Sequence, residues 1–189
     1  VNASANYDGV EFTISGNTIV RNSGGGISAG GNTGSTLNIT NNYIADNSAG
    51  SGGGIYIGAC NPVVNISHNR IHGNNATEGS ALWISDSDQA SAGDTYEYNS
   101  ITGGTGTSLI YIRYGCGTPY ASTIRNNNFV HKSETYLIDA RSTLDFGNNW
   151  WGTTDTTNLD GLIYDWNDNA TIGLVDYTPF LTAPDTTAP

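Results

Sequence analysis

Val64-Asn-Ile66-Ser-His-Asn69-Arg-Ile71 sets two apolar residues two apart, an asparagine three further on, and one more apolar residue two beyond that. The same arrangement occurs as Phe12-Thr-Ile14-Ser-Gly-Asn17-Thr-Ile19 and as Leu37-Asn-Ile39-Thr-Asn-Asn42-Tyr-Ile44. Looser copies run Tyr96-Glu-Tyr98-Asn99-Ser-Ile101, Ile124-Arg-Asn-Asn127-Asn-Phe129 and Leu144-Asp-Phe146-Gly-Asn148-Asn149-Trp-Trp151. Asn17, Asn42, Asn69, Asn99, Asn127 and Asn149 then align at spacings of 25, 27, 30, 28 and 22 residues. A period in this range marks a solenoid, in which each repeat buries its apolar face only against its neighbours.

Each unit carries a second strand-like segment after a Gly or Ser stretch: Gly26-Ile27-Ser-Ala29, Gly54-Ile55-Tyr-Ile57, Ala81-Leu82-Trp-Ile84, Leu109-Ile110-Tyr-Ile112 and Tyr136-Leu-Ile138-Asp-Ala140. The spacing predicts two short alternating strands per coil, joined at Asn and Gly corners, with alternate residues inside and outside. An asparagine at such a corner is expected to take the left-handed conformation and bond nearby backbone. Stacked about 4.8 Å apart, the amides also reach one another along the axis. The six asparagines are therefore scaffold rather than chemistry.

Composition agrees. The chain has 25 Gly, no Met and 12% charged residues, with polar positions dominated by turn formers that disfavour helix interiors. The 37% hydrophobic content and its regular placement exclude a disordered chain. Six Lys and Arg against seventeen Asp and Glu give a net charge of −11, a field that repels nucleic acid and anionic membranes. No 18-residue apolar run is present to span a bilayer, so membrane insertion is not expected. The chain opens at Val1 without a charged and apolar leader, and reads as a mature fragment.

The repeat, with Gly52-Gly-Gly-Ile-Tyr56 and Asn148-Asn-Trp-Trp-Gly-Thr153, resembles the right-handed parallel β-helix superfamily across residues 10–182. That superfamily holds pectate-lyase-like enzymes and many noncatalytic bacterial and archaeal surface proteins. The resemblance implies an all-β fold, a right-handed parallel β-helix (solenoid) of about six coils with a short C-terminal capping helix. Residues 1–9 form an N-terminal edge segment, 10–153 the coils, 154–182 the cap and 183–189 a Pro/Thr linker toward further domains of a parent chain. Leu159, Leu162, Ile163 and Trp166 have helical spacing after a polar N-cap, so the helix is placed there. In resembling proteins such a helix and a Tyr-x-Pro-Phe-Leu run close the last coil, which makes Trp150, Trp151 and Trp166 core of the cap. The superfamily hosts unrelated activities, so the fold does not fix the function.

Parity along the second strand points Tyr56, Trp83 and Tyr111 outward in successive coils, with Ser28 before them and Asp139 after. The neighbouring outward column reads Gly58, Ser85, Arg113 and Arg141, with Arg125 on a nearby face. Three uses fit such a column: ring stacking that only stabilises the sheet, contact with a glycan, or contact with a neighbouring protein. Polysaccharide lyases of the superfamily use a calcium-binding Asp cluster with an Arg or Lys base. Arg113, Arg141, Lys132 and Asp139 are the weak catalytic candidates, but no compact Asp cluster accompanies them. Nor is there a column of paired aspartates for hydrolysis.

No cofactor is required, although Ca²⁺ is a candidate ligand. Asp86, Asp88 and Asp94 lie on the longest intercoil loop, and Asp165, Asn167 and Asp168 near the cap, where an ordinary solvated acidic loop is the plainer reading. His68, His72 and His131 share no register that would gather them on a metal. Cys60 and Cys116 follow the second strand two coils apart, about 10 Å along the axis, too far for direct stacking. Both sit in Gly- and Pro-containing loops, and in an extracellular chain a disulfide between them is expected, with two free thiols as the alternative. The leading reading is a secreted or cell-surface module that binds a glycan or neighbouring protein subunit without catalysis. A polysaccharide lyase or glycoside hydrolase, and an architectural subunit of a filament or surface layer, are its rivals.

Overall fold

A computed structural model describes residues 1–5, 9–31, 34–59, 62–86, 93–114 and 122–189. After β1 (Asn2–Ala5) the chain winds through turns of three strands each. The first is β2 (Glu11–Ser15), β3 (Thr18–Val20) and β4 (Ile27–Gly31), and the second β5 (Thr36–Thr40), β6 (Tyr43–Ala45) and β7 (Ile55–Ala59). The third is β8 (Val63–Ser67), β9 (Arg70–His72) and β10 (Leu82–Asp86), and the fourth β11 (Thr95–Glu97), β12 (Ser100–Thr102) and β13 (Ser108–Tyr114). The fifth is β14 (Thr123–Arg125), β15 (Asn128–Val130) and β16 (Tyr136–Ala140). Then follow β17 (Leu144–Asp145), α1 (Thr156–Asp160), β18 (Ile163–Tyr164) and β19 (Val175–Asp176). Among the described residues all strand pairings are parallel. Sheet A is β1-β4-β7-β10-β13-β16-β18, sheet B is β14-β11-β8-β5-β2, and sheet C is β15-β12-β9-β6-β3.

Five full turns replace the six read from the repeat. The sixth contributes Asn149 and the short β17 but no strand of its own to sheet A, where β18 from the cap takes the place beside β16. Each turn also has three strands rather than two, because a single left-handed residue splits the Asn repeat. That residue is Gly16, Asn41, His68, Tyr98, Asn126 or Asn148, at φ between 54° and 69°. It precedes the ladder asparagine, contrary to the expectation that the asparagine itself makes the bend. The physical reason is direction: the ladder side chain must enter the core at once, so the reversal falls one residue earlier.

The ladder is continuous. Asn69 Oδ1 accepts from the backbone N and the Nδ2 of Asn42, both at 3.0 Å, and the pattern repeats from Asn17 to Asn149. A second, shorter ladder joins Asn22, Asn47 and Asn74 at the corner between sheets C and A, with Asn47 Oδ1 accepting from the N and Nδ2 of Asn22 and Asn74 Oδ1 from those of Asn47. It follows the first at an offset of five residues, a signal present in the sequence. It ends where Gly104 takes the next position. There Glu134, 3% exposed, accepts from Ser80 Oγ at 2.7 Å and from the Gly104 amide at 2.6 Å.

Inward columns of Ile, Leu and Val fill the interior, and Ile39, Ile44, Ile55 and Ile71 are fully buried. Each is worth roughly 1.5–3 kcal/mol of transfer energy. The coils meet closely at the Gly52 to Gly54 corner, where a Cβ on Gly53 would stand 2.5 Å from Asn75 O and one on Gly54 2.6 Å from Ala81 O. At the C-terminal end Trp151 packs against Phe129, Phe146 and Tyr177. The helix there is only Thr156–Asp160, capped by Asp155, since Ile163 leaves helical spacing to pair with Ile138. Trp166 is 52% exposed and does not belong to the cap core. The tail folds back: Asp185 donates to Asn128 Oδ1 and its carbonyl accepts from Asn128 Nδ2.

Candidate functional site on the outer face of sheet A

The pairs Ile55 and Ile57 in β7, Leu82 and Ile84 in β10, and Ile110 and Ile112 in β13 are buried, and the pleat turns the residue between each pair to the outer face. The register stacks Asn2, Ser28, Tyr56, Trp83, Tyr111, Asp139 and Tyr164 in one column. The Tyr56 and Trp83 rings are 4.4 Å apart and within 5° of parallel, and Trp83 and Tyr111 are 5.7 Å apart and within 6°. Parallel planes near the strand spacing of about 4.8 Å place the rings across the solenoid axis, so they cover one another's faces. Tyr56 leans along its own strand over Gly58, where a Cβ would meet its Cε1 at 2.6 Å.

Arg141 closes the far end of the stack. Its guanidinium carbon lies 5.8 Å from the Tyr111 ring centre and 5.2 Å from that of Tyr164, within cation–π range. Nη2 donates to Asp139 Oδ2 at 2.9 Å, and Nε lies 2.8 Å from Oδ1 in an ionic contact not aligned as a hydrogen bond. Asp139 is 3% exposed. Burial pushes its carboxyl up, the Arg141 bond and charge oppose this, and nearby Glu78 adds to the rise. Burial lowers the Arg141 guanidinium, but Asp139 more than offsets it and the net direction is up. Burial, with Glu78 second, also raises the Tyr111 phenol above its ordinary value.

Residues 3–93 match the family model described as a right handed beta helix region. The chain is a right-handed parallel β-helix. Neither a curated protein nor a solved structure matches it.

The β-helix brings together Tyr56, Trp83, Tyr111, Asp139 and Arg141 as the sequence placed them, though Tyr111 is 8% exposed and Asp139 less. Arg113 stands exposed in the next column, in register with Ser85 and Gly58. Arg125 lies on sheet B with Asp145 at 3.6 Å, and Lys132 in the corner near Gly103, away from the column. Two participants were not read from the sequence. Tyr164 arrives from the cap in β18, and Glu78 sits in the turn before β10, bridged to Ser51.

Of the candidate cation ligands, Asp88 and the side chain of Asp86 lie outside the described residues. Asp94 is buried, with its carboxylate accepting from the Val64 amide at 2.9 Å and the Tyr96 hydroxyl at 3.4 Å. Asp165 spends its two oxygens on the amides of Asn167 and Val175, beside an open cleft shared with Asp160, Asp168 and Tyr177. There a 2.6 Å bond to Asp160 pushes the Tyr177 phenol up to about 12. Among the described residues no three His, Cys, Asp or Glu side chains gather as a metal group. Cys60 and Cys116 both lie outside the described residues.

Proposed function

We propose that this β-helix is a noncatalytic, extracellular or cell-surface module that holds a glycan against the outer face of sheet A. The stack of Tyr56, Trp83 and Tyr111 carries the reading, since Trp83 and Tyr111 back Tyr56 in register and hold its ring rigid on a preformed face. Aromatic rings offer an electron-rich apolar surface for the C–H face of a sugar, and a face already ordered loses little entropy on binding. General acid–base work needs a carboxyl free to exchange a proton within reach of substrate. Asp139 is instead buried and tied to Arg141, which supports binding over catalysis. The charge of −11 disfavours polyanionic chains and favours neutral ones.

The test is affinity electrophoresis and array retention on neutral oligosaccharides, with each glycan inspected for cleavage after long incubation. The wild type is retained, and Tyr56→Ala weakens retention roughly tenfold or more, the equivalent of about 1.4 kcal/mol. Trp83→Ala, which removes the middle ring, weakens it similarly. Absence of retention on every glycan, or release of shortened chains, overturns the proposal.

A further inference from the structure

The stack has two ends, and they differ. Trp83 has a ring on each face, and Tyr111 is covered by Trp83 on one side and by the Arg141 guanidinium on the other. Among the described residues Tyr56 has a ring on one face only, that of Trp83. On its other side the column continues as Ser28 and then Asn2, two small polar side chains in register with it. Ser28 is half-buried and Asn2 exposed, so both rungs beyond Tyr56 are present in backbone but lack a ring, and the one next to Tyr56 is that of Ser28.

We infer that this missing rung over Ser28 is a subsite for a single neutral pyranose ring, stacked on the free face of Tyr56. This rests on the glycan-binding reading and specifies where and how one sugar is held. The thickness fits: carbon surfaces pack at about 3.5–4 Å, and rungs repeat at about 4.8 Å, so one sugar ring occupies one rung. The 4.4 Å between Tyr56 and Trp83 is the same kind of spacing between two flat groups. The chemistry fits as well. At the closed end a cation lies over the ring because the rung also supplies the Asp139 carboxylate to hold it. At the open end the rungs supply a hydroxyl and an amide, which match sugar hydroxyls and give a cation no counter-charge. A ring seated there lies across the solenoid axis, so the rest of the glycan leaves sideways or outward instead of running along the column. Trp83 and Tyr111 then serve as a rigid backing that fixes the plane of Tyr56.

Ser28→Trp tests this by filling the rung from within the chain. Binding of the wild type, Ser28→Trp, Tyr56→Leu, Arg113→Ala and a sheet C control, Arg70→Ala, is measured by calorimetry against the neutral oligosaccharide retained best. Saturation-transfer NMR on the wild type reports which protein rings touch the sugar. The expected result is a loss of roughly tenfold or more for Ser28→Trp and for Tyr56→Leu. Arg70→Ala is expected to be unchanged, with saturation passing to one sugar residue chiefly from Tyr56. Should Ser28→Trp fail to fold, Tyr56→Leu and the saturation pattern decide alone. Wild-type affinity in Ser28→Trp overturns the subsite while leaving glycan binding intact, as does loss on Arg113→Ala with Ser28→Trp unaffected. Wild type that binds no neutral glycan, or only an arginine-rich peptide, overturns both.

Discussion

Asn69 has no exposed surface and uses every polar atom of its side chain. Oδ1 takes two bonds from Asn42, and Nδ2 donates to Ile39 O at 2.7 Å and to Ser67 O and Asn99 Oδ1 at 3.0 Å. Replacing it by alanine strips the Asn42 amides of their acceptor and leaves Ile39 O and Asn99 Oδ1 short of a donor in the core. At about 1–3 kcal/mol for each group left unsatisfied, Asn69→Ala is expected to cost about 3–5 kcal/mol. Asn17 stands at the exposed start of the same ladder, donating to Asn42 Oδ1 in the next rung and to Ser15 O. Water replaces its partners, so Asn17→Ala is expected to cost about 1 kcal/mol. Urea unfolding of the two variants checks the contrast. Equal losses would mean that the ladder matters only as turn formers and not as a buried chain of bonds.

At the level of elements, what could be read from the sequence was whatever repeats with a fixed parity. Ile55-Tyr-Ile57, Leu82-Trp-Ile84 and Ile110-Tyr-Ile112 state by themselves which side chains face out, and the ring column followed. Less legible were features decided by tertiary context. His68 and Tyr98 are bulky residues held left-handed and stacked on each other at 5.2 Å, and nothing in their type announces a bend. Leu159, Leu162, Ile163 and Trp166 have helical spacing, but the open edge of β16 offers ladder bonds, and Leu162 O accepts from Leu137 N at 2.7 Å. Glu134 was invisible for another reason, since its partner Ser80 lies 54 residues away. Burial pushes the Glu134 carboxyl up, but bonds from Ser80 and from the Gly104, Ser133 and its own amides outweigh this and hold it below the ordinary value. A depressed acid stabilises the fold above its unfolded value, near 4.3, and that contribution is lost as pH falls through the folded value. Glu134→Gln is therefore expected to cost about 1.5–3 kcal/mol at pH 7, with the gap to wild type narrowing as the medium is acidified below about pH 4. Urea midpoints at pH 7, 5, 4 and 3 measure it, and a gap constant across that range would assign the loss to shape and not to charge.

A solenoid is close to a one-dimensional object, in which each coil is held by the coils on either side, so the two ends govern the behaviour of the whole molecule. They are closed very differently. At the C-terminal end Trp151, 1% exposed, sits among Phe129, Phe146 and Tyr177, and Leu181 N bonds to Asn149 O to hold the tail across the last rung. At the other end Ile14 and Ile19 keep 8% and 6% exposure where Ile39 and Ile44 in the next coil keep none, and among the described residues no strand pairs with the outer edges of β2 and β3. Amide hydrogen exchange should therefore be fastest in β2 and β3, slowest in the third and fourth turns, and slow again up to Trp151. Trp151→Ala removes the plug at a cost of about 3–5 kcal/mol and should make the fifth turn exchange as readily as the first. The open end is also the end that carries Ser28 and the free face of Tyr56. A sugar bound there stabilises the first turn in proportion to its saturation, by about 2.7 kcal/mol of local opening energy at a hundredfold excess over Kd. Exchange in β1 and β4 should then slow with added ligand while that in β16 stays put. Uniform slowing along the solenoid would instead mean that opening is global and that the coils are more tightly coupled than nearest-neighbour packing requires.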